Sequence, residues 1–218
     1  MPLKTYTLRE RPELEDEFEL RPAGLADVSP PARRAGQRAL LARAVRDLRG
    51  VPAPFAILEG ALTARREGRR PTALSALAAI TDPGQRGRGL SAEIIKAMAA
   101  LARQHGLGAL VAPVRPTLKA SYPLASMERY VRWIHPDGAP LDPWMRVHWR
   151  LGAEIVRVIP RALVIAGTVV EWEEWTEMSF PDSGPYVVPG ALQPVVIDRE
   201  RDEGRYDDPN VWMHHPIR

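Results

Sequence analysis

Cysteine is absent from all 218 residues. That excludes disulfides, thiolate metal sites and cysteine nucleophiles at once. No apolar run approaches the roughly 18 to 20 residues that a membrane span needs, and no signal-peptide pattern opens the chain. The expectation is a cytoplasmic protein with no membrane contact. Two nucleotide motifs are also missing. There is no G-x-x-x-x-G-K-[ST], which rules out a P-loop. No G-x-G-x-x-G opens a helix and no acid ends the following strand, so a dinucleotide site is not expected. Internal repeats and low-complexity linkers are lacking too.

What is present is ordinary for a globular protein: 45% hydrophobic and 26% charged residues in 24.3 kDa. That is enough chain for one sizeable core, or two small ones. The net charge of +3 is too small to imply a nucleic-acid partner, but it is unevenly spread. Between Ala32 and Arg70 there are ten arginines against three acids, Asp47, Glu59 and Glu67. Between Val170 and Asn210 there are eleven acids against three arginines. The two runs suit a basic docking face and an acidic pocket for a cationic substrate, or simply two solvated faces.

Apolar spacing predicts helices from about Ala32 to Leu48 and from Phe55 to Arg66, separated by Gly50-Val-Pro-Ala-Pro54. The run Thr72 to Ile80 has no decisive period. Its position between Pro71 and the Asp82-Pro83-Gly84 turn favours a buried strand. From Leu90, the residues Ile94, Ile95, Met98, Leu101 and Ala102 form one helical face, ended by Gly106 and Gly108. Ala109 to Pro113 reads as a second strand, which completes a βαβ unit. A short helix is expected at Met127 to Trp133. Asp142-Pro143 has helix-start chemistry, and Gly152 would end that helix. Strands are expected at Glu154 to Ile159, at Ala162 to Ala166, at Leu192 to Ile197 and around Val211. The rest of the carboxyl-terminal part reads as acidic loop.

The βαβ unit turns on Ile80-Thr81-Asp82-Pro83-Gly84-Gln85-Arg86-Gly87-Arg88-Gly89-Leu90-Ser91. A glycine-rich turn at the start of a helix suits a phosphate. Backbone can approach closely where side chains are absent, and the first helical N–H groups have no intrahelical partner. Arg86 and Arg88 add positive charge at the same place. The competing reading is a helix-capping turn with solvated arginines.

Arg86-Gly-Arg-Gly89-Leu-Ser91, with Pro83 before it, closely resembles the R/Q-x-x-G-x-G/A signature of the GCN5-related N-acetyltransferases (GNAT superfamily). The likeness covers about Leu74 to Pro113, and the longer run to Trp212 looks like a bacterial branch of that superfamily. Ser91 stands where the family usually has Gly or Ala. The resemblance implies an α/β (α+β) fold, with a mixed central sheet whose central strands splay apart between flanking helices. It implies acetyl-CoA as cofactor: backbone N–H groups of Arg86, Gly87, Arg88, Gly89, Leu90 and Ser91 on the pyrophosphate, and main chain near Ile80 and Thr81 on the pantetheine arm. The family often carries a Y-x-x-x-G pattern, whose tyrosine protonates the departing thiolate. Here the matching run is His148-Trp-Arg-Leu-Gly152, so His148 is the candidate acid or proton shuttle. The alternative is a helix histidine packed against Trp144 or Trp149.

Other candidates are less specific. His214-His215 has no third ligand at useful spacing, so no metal is expected. Trp172-Glu-Glu-Trp175 and Glu177 could hold a cationic amine or form an acidic turn with packing tryptophans. No acid lies on Leu74 to Ile80, which leaves the general base open, and Tyr122, Tyr130 and Tyr186 cannot be ranked. The first 70 residues contain no recognisable β-hairpin, so the amino-terminal part looks abbreviated relative to the family. A shortened sheet would leave an edge that invites a homodimer. The expectation is one domain over 1–218, comprising an atypical part at 1–70, a cofactor-binding core at 71–166 and an acidic part at 167–218. Its activity would be acetyl transfer from acetyl-CoA to a small amine, with the acidic carboxyl-terminal third suiting a cationic one. The rival is a binding protein: a CoA-sensing remnant without turnover, or a module that uses the arginine-rich helix.

Overall fold

The computed structural model describes residues 66–76 and 88–217. The helices expected at 32–48 and, but for Arg66, at 55–66 lie outside them, as does the end of the first expected strand. The mixed α/β architecture is as expected: one sheet of six strands with helices packed against it.

Strand β1 (Ala73–Ser75) pairs in parallel with β2 (Ala109–Val114), and helix α1 (Leu90–Gln104) connects them. The helix buries Leu90, Ile95 and Ala102 on the face that the apolar spacing predicts. Along β2, Leu110, Ala112 and Val114 are buried and the residues between them are half-buried. That is the period of a strand with two unlike faces.

A 3₁₀ turn (Lys119–Ser121) and the single-turn helix α2 (Met127–Tyr130) follow, and then α3 (Pro143–Arg150). Asp142 caps α3 as expected, with Oδ1 accepting from the N–H groups of Trp144 (2.9 Å) and Met145 (3.1 Å). The expected strands at 154–159 and 162–166 are one strand, β3 (Glu154–Gly167), with a register shift between Ile159 and Leu163 that absorbs Pro160. Then comes α4 (Val169–Thr176), where the sequence had suggested acidic loop. Thr168 and Glu171 close its first turn as a capping box, and Trp172 is fully buried beneath it. Strands β4 (Gly184–Tyr186), β5 (Val195–Asp198) and β6 (Glu203–Pro216) complete the sheet.

β6 is the strand that β2, β3 and β5 share. One edge pairs with β3 along nearly its whole length. The opposite edge is divided: Val211 to Pro216 pair with β2, and Glu203 to Arg205 pair with β5. One apolar cluster gathers Trp172, Phe180, Val195 and Ile197 near α4, and another gathers Met145, Leu192, Val211 and Met213 near α3. Gly204 is glycine for lack of room, since a Cβ there would stand 2.1 Å from Cδ1 of Trp172.

Candidate functional site

Three groups of residues carry chemistry, and the first is the start of α1. Gly89 is the N-cap residue with φ of 78°, in the left-handed region that favours glycine. Among the described residues, no side chain caps the helix. The Gly89 carbonyl accepts from Ala92 N–H at 3.0 Å, so the turn itself is closed, yet among the described residues no side-chain oxygen takes the N–H groups of Leu90 and Ser91. Arg88 and Gly89 are exposed, Leu90 is buried and Ser91 half-buried. Of the expected cofactor residues, Arg88, Gly89, Leu90 and Ser91 are thus brought together at one helix end. Ile80, Thr81, Arg86 and Gly87 lie outside the described residues. One turn further, the buried Glu93 is bonded by Lys96 at 3.1 Å, which offsets its charge beside this end. A glycine bend, uncapped donors and an adjacent guanidinium fit a pyrophosphate. The described pairing of β1 with β2 extends to Ser75↔Val111, with Ala76 N–H donating to the Val111 carbonyl at 2.9 Å.

The second group fills the gap where β2 and β5 part along β6, and none of its members was singled out for a role from the sequence. Arg115 follows directly on β2 and donates to both oxygens of Asp208 on β6, at 3.1 and 2.9 Å. Burial works against its charge, but Asp208 prevails and raises the Arg115 pKa. The Tyr206 hydroxyl donates to Asp208 and accepts from Leu192 N–H at 2.9 Å; burial, then Asp208, push its pKa up. Gln193 reaches the Asp207 carbonyl at 2.6 Å, and Asn210 Nδ2 the Pro113 carbonyl at 3.4 Å. Side chains thus take over where ladder hydrogen bonds stop.

Next to this gap, the buried Lys119 donates to the carbonyls of Tyr122 (2.9 Å) and Leu192, with its ammonium 5.9 Å from the centre of the Tyr130 ring. Burial lowers its pKa. Oδ2 of Asp142 accepts from the Tyr130 hydroxyl (2.9 Å) and from Leu118 N–H (2.8 Å). Asp142 therefore ties the cap of α3 to the loop after β2. Tyr122 and Tyr130 both pack on Trp133, while Tyr186 lies apart, against Phe180. The Asp-Pro cap was legible in the sequence; nothing in it linked Arg115 to Asp208, 93 positions away.

The third group is His148 on α3 and His215 on β6. Both are buried, and Nδ1 of His148 lies 2.8 Å from Nε2 of His215. The Trp144 ring stands edge-on to His148, 4.4 Å between centres. Burial, then the His215 charge, lower the His148 pKa to about 3. Burial also lowers that of His215, against a backbone hydrogen bond at Leu151 that raises it. Nε2 of His148 is buried with no hydrogen-bond partner among the described residues. His214 points the other way: with Val111, Arg157 and Trp212 it lines a shallow groove of about 430 Å³. Adjacent histidines on opposite faces of a strand do not chelate together, and among the described residues no cluster could hold a metal. Trp172 and Trp175 pack into the core rather than lining a pocket, and Glu173 accepts from Phe180 N–H at 3.1 Å. Among the described residues no helix is long and apolar enough to cross a membrane.

The arginine N-acetyltransferase avaD of Aspergillus versicolor is 35% identical to this chain over 182 residues, which cover 74% of the chain and 63% of that relative. The chain thus spans less than two thirds of the length of the curated relative it matches. Two solved structures align at lower similarity. The loading GNATL domain of CurA from Lyngbya majuscula gives a TM-score of 0.44 at 16% identity, over 71% of this chain and 61% of that one. The GphF GNAT-like decarboxylase in complex with isobutyryl-CoA gives 0.41 at 20% identity, over 72% and 63%. No family model matches the chain. Along the portion of the curated relative that it spans, the chain is a homologue of an arginine N-acetyltransferase.

Proposed function

We propose that this protein is an acyltransferase that moves an acetyl group from acetyl-CoA to an amine by direct attack. The observation that carries the reading is the open start of α1. Gly89 has a left-handed backbone, no side chain among the described residues caps the turn, and Arg88 flanks it, all within the Arg86-x-x-Gly89-x-Ser91 pattern. Acetyl-CoA, when bound, supplies the acetyl group as an activated thioester. Arg86 to Ser91 would hold its pyrophosphate, with Ile80 and Thr81 on the pantetheine arm. Lys119, Asp142 and Tyr130 fix the loop after β2 as a rigid wall, because each buried polar group there has its partners. His148 is the residue assigned to proton handling. The relative's name points to an acceptor of arginine type, a cationic amine that would suit the acidic carboxyl-terminal part. A cysteine-free chain with this coenzyme suits the cytoplasm.

The test is titration calorimetry with acetyl-CoA, comparing wild type with Gly89→Glu. Binding by wild type and its loss in the variant are expected; no binding by wild type at millimolar ligand would end the reading. One observation favours a second reading, a CoA-binding protein without turnover: His148 is held neutral and buried, with no proton to spare at ordinary pH. Acetyl-CoA binding with no acetylation across a panel of amines, arginine included, would favour that alternative.

A further inference from the structure

We infer that Arg115 is the carboxylate-binding residue of the acceptor site, so that the amine this protein acetylates belongs to an amino acid rather than to a simple amine. This rests on the proposed acyl transfer and names the class of its acceptor. Arg115 follows directly on β2, at the strand's carboxyl end. β1 runs parallel to β2, and α1 returns between them: just past the helix, Gly108 N–H donates to the Thr72 carbonyl beside the start of β1, at 3.0 Å. Gly89, at the other end of the helix, therefore lies toward the same carboxyl end of the sheet as Arg115. That is the end where ligands of such units bind. The two stand on different sides of β2, because β1 pairs with one of its edges and β6, which Arg115 reaches, with the other. What Arg115 binds is thus a group of the acceptor and not the pyrophosphate.

Asp208 fixes the guanidinium through Nε alone, which donates to both carboxylate oxygens at 3.1 and 2.9 Å. Nη2 gives an N–H to the Gly190 carbonyl at 3.2 Å. The N–H groups of Nη1 take no part in these bonds, and 35% of the side chain stays exposed, against 7% for Asp208. A guanidinium held from behind with its outer edge open is preorganised for a second, planar oxyanion, which it can meet with two parallel N–H groups. Lys119, the other cation at the gap, is fully buried and directs its ammonium to the carbonyls of Tyr122 and Leu192. It presents no charge at the surface.

A second observation points to a ligand at the same place. The pair Val114↔Val211 ends the ladder between β2 and β6, and one step further the register sets Arg115 beside Asn210. Nδ2 of Asn210 donates to the Pro113 carbonyl at 3.4 Å, so Oδ1 is the atom left over. It is buried, with no hydrogen-bond partner among the described residues, on a side chain whose residue is only 8% exposed. Such an acceptor calls for an N–H. An outward guanidinium edge beside an unpaired carbonyl oxygen asks for a ligand that carries an oxyanion and an N–H a few bonds apart. An α-amino acid does; a simple amine does not. A carboxylate pinned by Arg115 fixes the amine's orientation before attack, which is the positional part of the rate.

Calorimetry on the full chain with CoA present compares L-arginine, the acceptor type in the relative's name, with arginine amide, which keeps the amine and the side chain but not the negative charge. Arginine should bind about tenfold to a hundredfold tighter than the amide. In Arg115→Met the two should bind within about threefold of one another, the loss falling on arginine. Arg115→Lys, a charge without the fork, should keep only part of the preference. The methionine variant leaves Asp208 buried without its partner, so Arg115→Met combined with Asp208→Asn removes both charges together; if neither folds, the wild-type comparison decides. Equal affinity for arginine and its amide in wild type, or no binding of either, overturns the inference. So does a preference that survives in Arg115→Met, and a fall in CoA affinity beside it would assign Arg115 to the coenzyme's phosphates instead. Binding needs no turnover. An arginine preference in a protein that acetylates neither ligand would therefore sink the acyltransferase reading alone, while acetylation of both at equal kcat/KM would sink this one alone.

Discussion

Asp142 and Thr168 close the first turns of α3 and α4 with their own oxygens, whereas at Gly89 no side chain among the described residues closes that of α1. The three helix starts pose the same problem, since the first N–H groups of any helix lack an internal partner. Two are solved within the chain and belong to the scaffold. The third is left unsolved at an exposed glycine beside an arginine, at the end of the longest described helix. A helix start without a side-chain cap among the described residues is what the proposed cofactor site requires.

The contrast can be broken at several points, and the largest effect is expected at a closed end. Asp142→Ala removes the cap of α3 and leaves Leu118 N–H and the Tyr130 hydroxyl without their acceptor. A loss of about 3–5 kcal/mol should appear in urea denaturation. A value near that of a simple cap would mean the loop does not depend on Asp142. At the open end, Gly89→Asp places a carboxylate where an anion should sit, in a conformation that aspartate tolerates better than most residues. Acetyl-CoA affinity should fall about a hundredfold in calorimetry, roughly 2.7 kcal/mol, with the melting temperature held within a few degrees. An unchanged affinity would remove the start of α1 from the binding site. Thr168→Ala, at an ordinary cap, should cost about 1 kcal/mol and leave ligand binding alone.

A further effect is one of pH. His148 is held at about 3 and His215 is lowered, whereas the unfolded chain binds these protons near pH ~6.5. The unfolded state therefore takes up more protons as pH falls. Stability is full above about 6.5 and declines progressively toward about 3. Asp137, whose carboxyl the Ala139 N–H and then His135 hold down to about 2, adds its own loss only below about pH 4. The slope of melting temperature between about pH 6.5 and 5 should flatten in His148→Gln; an unaltered slope would mean that other groups titrate there.

Local chemistry made the closed and open ends unequally legible. Asp142-Pro143 is an N-cap followed by a residue already lacking its N–H, and the helix starts where that pair says. The start of the first strand, the helix from Leu90 and the second strand were readable because each signal lies within a few residues. Thr168-x-x-Glu171 was equally local, but the acidic run around it reads as loop until the burial of Trp172 shows which side faces the core. β6 was harder. Asp207, Asp208, Pro209 and Asn210 are poor strand formers, and they are held there by pairing with β3 on one edge and by side-chain bonds across the gap on the other rather than by propensity. The approach of Arg115 to Asp208, and of His148 to His215, follows from the register of that strand with β2 and β3. Register is a long-range property that no window of sequence contains.

The divided edge of β6 also bears on how the protein is made. β2 and β3 leave the ribosome well before the strand that lies between them, and neither pairs with the other in the finished sheet. During synthesis their edges wait unpaired, with the apolar residues that later face α3 and α4 uncovered. The last strand to emerge inserts into the middle of the sheet and brings β2, β3 and β5 together in one act. Closure should be a late, cooperative and comparatively slow step, and the half-made chain is the form of this molecule most in need of a chaperone.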